Sequence, residues 1–369
     1  MTEKMGGSVS HFLSITEIHM KLKPITFFMA FCLLFSCVVF SSCTRPVEKF
    51  SAHAFDYFDT VTTVTGYAES KEAFDAVANE ILAELGEYHR LFTIYHRFEG
   101  MENLCTVNEL VDGQHRTVTV DRRIVDMLLY AKEMYRQTNG RVNIAMGSVL
   151  SVWHDYRTEG MDDPASAKLP PMDKLTVAAA HTDIENLVID ENACTVTLTD
   201  PKMTLDVGAI AKGYAVEMVA QTMEEKGITG YILNVGGNVR AVGGKPDGTG
   251  WTAGIEDPLG GEEYIAYLSL TDHSLVTSGS YQRYYLVDGK RYHHIIHPDT
   301  LMPAEGYVSV SVLTRHSGNG DALSTALFCM TLEEGMALIA SLPDTEAQWI
   351  MPDGTRHVSD GWTAYVIDR

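Results

Sequence analysis

Residues 206–242 read DVGAIAKGYAVEMVAQTMEEKGITGYILNVGGNVRAV, and the fold class turns on them. Asp206–Lys226 contains a helix, and Tyr231–Val242 reads as a strand interrupted by glycines. Just upstream, Asn186–Asp190 and Thr195–Thr199 read as a hairpin of two short strands. Further out, Thr60–Ala68 is rich in β-branched residues and reads as a strand. Two amphipathic helices follow it. Lys71–Phe92 carries Phe74, Val77, Ile81, Leu82 and Leu85 on one side, and Arg123–Gln137 stops at Asn139-Gly140. Residues 157–174 are polar, Pro-rich and aperiodic, and read as a long surface loop or a boundary. Downstream come several strands between Trp251 and Val312, then helices over Ala322–Met330 and Glu333–Leu342. Strands and helices mix without a βαβ rhythm, which predicts an α+β fold rather than a doubly wound sheet.

The apolar fraction of 45% supplies a real core, so the chain is not disordered. Its 49 acidic against 28 basic residues give a formal net charge of −21. Such a surface repels phosphate backbones, and no basic patch offsets it, so nucleic acid is excluded as a partner. An anionic ligand must be held by a local cation, by backbone N–H groups or by a metal. The cysteines at 105, 194 and 329 are scattered, with no Cys-x-x-Cys pair, and read as small buried hydrophobes.

Pro24–Phe40 is an almost unbroken apolar run preceded by Lys21 and Lys23, the form of a signal-peptide hydrophobic region. It ends in Phe40-Ser41-Ser42-Cys43, which resembles a bacterial lipobox with Cys43 as the lipidated residue; Leu34-Phe35-Ser36-Cys37 is a competing box. An uncleaved anchor is the alternative, and Met20 is a candidate start. Either way the remainder is expected outside the cytoplasm, as a membrane-anchored lipoprotein. The expected organisation is a signal peptide over 1–42, a linker over 43–54 and one domain over 55–369.

Three clusters carry possible chemistry. Asp206–Tyr214 reads as a strand end passing through glycine into a helix, with Lys212 one turn inside, a junction that offers N–H groups and a favourable dipole to an anion. Arg291–Pro298 holds His293, His294 and His297. Neighbouring side chains of a strand diverge, so His293 and His294 face apart. With an ordinary pKa of about 6.5, His294 suits general-base work, and a satisfied structural histidine is the equal alternative. In the third cluster Asp321 and Thr325, at a helix start behind the Gly-rich loop Ser317–Gly320, share a face. A carboxylate beside a hydroxyl suits magnesium; read alone, Asp321 is first of all a simple N-cap.

In order and spacing these clusters resemble the ApbE family, the FAD:protein FMN transferases. The resemblance runs from about Phe55 to Leu342 and includes Phe58-Asp59-Thr60, Leu91–Tyr95 with Asn108, Thr138-Asn139-Gly140, Asp206–Tyr214, Asn234–Asn238, Thr277-Ser278-Gly279, His294-Ile295-Ile296 with Pro298, and Asp321–Ala326. It implies an α+β fold with two subdomains around a flavin-binding cleft. Asp321, Thr325 and the carbonyl of Ala209 would hold Mg²⁺. Phe58, Tyr95, Asp206, Lys212 and Ile295 would line the FAD site, and His294 would take the proton from an acceptor Ser or Thr. The reaction it implies moves FMN from FAD to that hydroxyl and releases AMP. Its acceptors would be subunits of membrane redox complexes such as sodium-pumping NADH:quinone reductases. An FAD pyrophosphatase and a non-catalytic FAD-binding lipoprotein are the rival readings. The chain departs from the family at Arg141-Val142-Asn143, Asn238, His297 and Leu301.

Overall fold

A computed structural model describes residues 46–111, 113–261 and 263–368. The expected signal segment and Cys43 lie outside the described residues. Val47–Arg369 form one compact unit by their contacts.

Alternation of buried and exposed side chains over Thr60–Ala68 fits a strand with one face on a core. It belongs to an eight-stranded sheet: β1 (Glu48–Tyr57), β2 (Thr60–Ala68), β3 (Tyr231–Val235), β4 (Asn238–Val242), β5 (Ser274–Gly279), β6 (Ser309–Thr314), β7 (Glu346–Ile350) and β8 (Arg356–Val358). Their spatial order is their chain order, and every neighbouring pair is antiparallel. In such a meander every second connection returns to the same end of the sheet. The β1–β2 turn, the β3–β4 turn and the exit of β5 therefore meet at one edge.

The remaining elements are insertions between these strands. Between β2 and β3 lie α1 (Lys71–Phe92), α2 (Arg122–Gln137), α3 (Gly147–Asp162), α4 (Met172–Ala179) and α5 (Ala211–Glu225), together with the expected hairpin, here Leu187–Asp190 and Thr195–Leu198. Between β6 and β7 lie α6 (Ser317–Phe328) and α7 (Leu332–Ala340). One face of the sheet (Val64, Leu233, Val310, Val312, Trp349) shares a core with Phe74, Ile81 and Leu85 of α1, Val216 and Val219 of α5 and Leu323 of α6. The other face puts Ala241, Leu275 and Leu313 against a hairpin of Trp251–Glu256 and Tyr264–Leu270. The central strand β6 is buried on both faces.

A buried ion pair ties α5 and α6 to the sheet. Arg240 Nε of β4 lies 3.2 Å from Glu217 Oε2 of α5, and the Ser317 N–H that opens α6 donates to the same oxygen at 2.7 Å. Ser317 Oγ donates to Asn238 Oδ1 of β4 at 2.6 Å. Both charges of the pair are shielded from water, so the network fixes the relative height of the two helices.

Five readings of the sequence need correction. The stretch 157–174 is not one loop: α3 runs on to Asp162 and α4 begins at Met172. Thr158, Glu159 and Asp162 are exposed on the last turns of α3, whose Val149, Val152, Trp153 and Gly160 are buried. Ser317–Gly320 is the first turn of α6 rather than a loop, and its N-cap is His316, so Asp321 lies a turn inside the helix and does not cap it. The glycines serve close packing: a Cβ on Gly320 would come within 2.6 Å of Val276. Tyr231–Val242 is two strands, turned by Gly236 and Gly237 at φ of 54° and 80°, the left-handed pair that tight hairpins demand. No strand leads into α5, and β1 begins at Glu48, inside the stretch read as linker.

Candidate active site

At the edge where the turns meet, the sheet, its hairpins and the helical insertion enclose a cleft of about 1140 Å³. Phe58, Tyr95, Asp206, Ala209, Lys212, His294, Ile295, Asp321 and Thr325 all line it. Residues up to 267 positions apart in the chain thus share one wall-to-wall space.

Asp321 is the most constrained of them. Its side chain is buried; Oδ1 accepts from Lys212 Nζ at 2.8 Å and Oδ2 from the Gly213 N–H at 2.8 Å. The first turn of α5 has no side-chain cap of its own, so a carboxylate from α6 caps it instead, where the helix dipole favours negative charge. Thr325, one turn on, turns its hydroxyl to the Asp321 carbonyl at 3.4 Å. The approach of the two helices requires glycine at 213. A Cβ there would meet Asp321 Cβ at 2.5 Å, Ser317 O at 2.7 Å and Asn238 Nδ2 at 2.9 Å. Gly213→Ala is expected to destabilise by about 1–2 kcal/mol net, overpacking outweighing alanine's better helix propensity. A calorimetric melt checks this; an unchanged midpoint would mean the helices separate freely.

The three histidines have different roles. His293 is buried, with Nε2 against the Ala304 carbonyl at 2.8 Å and Nδ1 accepting from the Ile295 N–H at 3.2 Å. His297 Nδ1 accepts from the Asp299 N–H at 3.1 Å. His294 faces the cleft, its Nδ1 3.2 Å from the Arg283 carbonyl. Burial, then the Arg283 charge, His293 and Arg157 push its pKa down to about 4. The imidazole is therefore neutral at pH 7. With Nδ1–H donating to the carbonyl, Nε2 carries a free lone pair.

Phe58 and Asp59 form the β1–β2 turn, both at φ of 53°. The left-handed conformation disfavours a bulky side chain, and such strain clusters at functional sites. The Phe58 N–H donates to His89 Nδ1 at 3.1 Å, and its ring meets the His89 ring edge-on at 5.5 Å. Tyr95 follows α1, is 57% exposed and tilts over the His154 ring at 6.0 Å. Burial raises the Asp206 carboxyl pKa, against the pull of the Gly208 N–H, His154 and Arg157. The backbone at 205 is clamped by Asn108, which donates to the Leu205 carbonyl at 2.9 Å and accepts from its N–H at 2.7 Å. Ile295 is buried, its carbonyl accepting from the Ala304 N–H at 2.9 Å.

Sequence reasoning missed His154, Arg157 and Arg283, which also line the cleft. His154 and Arg157 are on α3; Arg157 was hidden in the stretch that read as a loop. Nothing in the local sequence marks Arg283.

An antiparallel α+β fold with a cleft that gathers oxygen donors, a lysine, aromatic rings and a neutral imidazole is the class of protein defined here. The chain belongs to the ApbE family, whose family model matches residues 58–349. It is 34% identical over 315 residues to an FAD:protein FMN transferase of Vibrio cholerae, covering 83% of this chain and 88% of that one. To an FAD:protein FMN transferase of Klebsiella pneumoniae it is 31% identical over 272 residues, 71% of this chain and 81% of the other. Among solved structures, an ApbE protein from Thermotoga maritima superposes with a TM-score of 0.74 at 25% identity, covering 87% of this chain and all of that one.

Proposed function

We propose that this protein is an FAD:protein FMN transferase that uses Mg²⁺. The observation that carries this reading is the convergence of Asp321, Thr325, Lys212 and His294 on one cleft, in a member of a family whose named relatives are such transferases.

The donors fit the metal. A carboxylate, a hydroxyl and the Ala209 carbonyl are all hard oxygen ligands. The ammonium of Lys212 on Asp321 Oδ1 marks a place where this carboxylate accepts a cation. When bound, Mg²⁺ would supply charge neutralisation on the pyrophosphate. The chain's own residues do the rest. Phe58 and Tyr95 offer aromatic faces to the ring systems of FAD. The Nδ1–H of His294, held by the Arg283 carbonyl, leaves Nε2 to accept the proton of an acceptor Ser or Thr. The hydroxyl oxygen then attacks the FMN-side phosphorus, the pyrophosphate bridge breaks, and AMP leaves with the bridging oxygen. The product is an FMN phosphoester on the acceptor.

The sequence before residue 46 supports a lipid anchor at Cys43 and action outside the cytoplasm, on subunits of membrane redox complexes such as sodium-pumping NADH:quinone reductases. Incubation with FAD, Mg²⁺ and such a subunit tests the reading by intact mass. A mass gain equal to FMN with matching AMP release is expected. AMP and FMN released without a mass gain would replace transfer by hydrolysis, and FAD bound but unchanged would overturn both.

A further inference from the structure

A protein with a formal charge of −21 places two guanidinium groups in its cleft without a carboxylate on either. Arg157, half-buried, comes from α3, and Arg283, exposed, from the segment that enters the hairpin Tyr284–Val287 with Lys290–His293. Among the described residues neither has an acidic partner within ion-pair distance, while the other arginines of this cleft and its helices are paired. Arg141 holds Asp299, and Arg240 holds Glu217 and Glu224. The Asp206 carboxylate acts on Arg157 without pairing with it, and the two arginines act against each other there. His154 lines the same cleft, its ring 6.0 Å from that of Tyr95. Cations held together in a partly dehydrated cleft are costly unless a ligand neutralises them. Arg283 is also fixed to the base: its carbonyl accepts from the backbone N–H of His294 at 3.2 Å and meets its Nδ1 at 3.2 Å.

We propose that Arg157 and Arg283 form an oxyanion subsite beside His294 that holds the FMN-side phosphate of the substrate, the phosphate retained by the product. This rests on the transferase reading above. It divides the charge of the pyrophosphate between two sites: the Asp321–Thr325 end of the cleft and the arginine pair at His294. Guanidinium forks suit the non-bridging oxygens of a phosphate, and their charge matches what develops there as the hydroxyl attacks.

The test compares the binding of FMN, riboflavin and AMP to the full chain, by titration of flavin fluorescence and by calorimetry. FMN and riboflavin differ only in the phosphate. The wild type is expected to prefer FMN, and each of Arg157→Gln and Arg283→Gln to cut that preference by roughly tenfold, the usual worth of a charge-assisted hydrogen bond. Riboflavin and AMP affinities should stay constant, and Arg283→Lys should recover part of the preference. Because neither guanidinium holds an internal partner, the variants should melt no lower than the wild type, and the riboflavin titration reports that the cleft is intact. An unchanged FMN preference overturns the proposal. So does a loss confined to AMP, which would put the pair on the other phosphate. So does a loss confined to KM for the acceptor, which would make it a contact for an acidic protein segment. Since none of the binding arms needs turnover, absence of FMN transfer in the wild type would overturn the transferase reading separately.

Discussion

Asp321→Ala is expected to lower the rate of FMN transfer on the order of 10³-fold, because it removes the carboxylate on which the cationic side of the cleft is organised. One side chain there does three things. It is a ligand suited to Mg²⁺, it fixes the Lys212 ammonium, and it caps the Gly213 N–H of α5. Asp321→Asn separates them. The amide keeps an acceptor for Gly213 and loses the charge, so the helix junction should survive while transfer still collapses. The alanine variant should in addition lose about 1–3 kcal/mol of stability, since the α5 N–H is left without its acceptor. Acceptor mass gain across a magnesium titration gives the rate, and a melt gives the stability. If Asp321→Asn kept a tenth or more of the wild-type rate, the carboxylate would be a helix cap and nothing more.

Much of this site was legible because its motifs are local. His294 at the end of a strand and Asp321 four residues from Thr325 announce their geometry through the periods of strand and helix. What was not legible depends on contacts between distant segments. The Lys212–Asp321 pair spans 109 residues, and it exists because Gly213 lets α5 touch α6. The same packing explains why a Gly-rich stretch proved to be a helical turn. Glycine at 318 and 320 is there for Tyr130 and Val276, both far off in the chain. The helix α3 escaped notice since the exposed Thr158, Glu159 and Asp162 dominate the composition of its last turns, while the buried Val149, Val152 and Trp153 lie upstream, Trp153 donating its indole N–H to the Leu301 carbonyl at 2.9 Å. The sheet order was hidden for a different reason. A meander interrupted by more than 160 residues between β2 and β3 leaves no short turn to read, although Thr62–Gly66 pairs directly with Tyr231–Val235.

His294→Ala is expected to slow transfer by about 10²–10⁴-fold, the range of a lost general base, while FAD still binds. The pH dependence makes the assignment specific. Burial is the first cause of the pKa of about 4, and the charges of Arg283 and Arg157 act in the same direction. The working form is neutral, so base function is present above that value and is lost as pH falls through it. In kcat/KM, which reports the free enzyme, the acid limb should therefore lie near 4 rather than near the ordinary ~6.5. Stability carries the same sign. The folded state binds the His294 proton less well than the unfolded chain, so this contribution is full above about 6.5 and is lost as pH falls from there toward 4. Asp206, whose carboxyl pKa burial raises, lines the same cleft, and Asp206→Asn separates its contribution: the limb should persist in that variant and vanish in His294→Ala. An acid limb near 6.5 would show that His294 is not desolvated in the free enzyme, and undiminished transfer by His294→Ala would remove it as the base. A limb near 4 that belongs to His294 would explain why two arginines can stand beside a catalytic base: they keep it unprotonated until the hydroxyl arrives, and the phosphate they hold is the one that hydroxyl attacks.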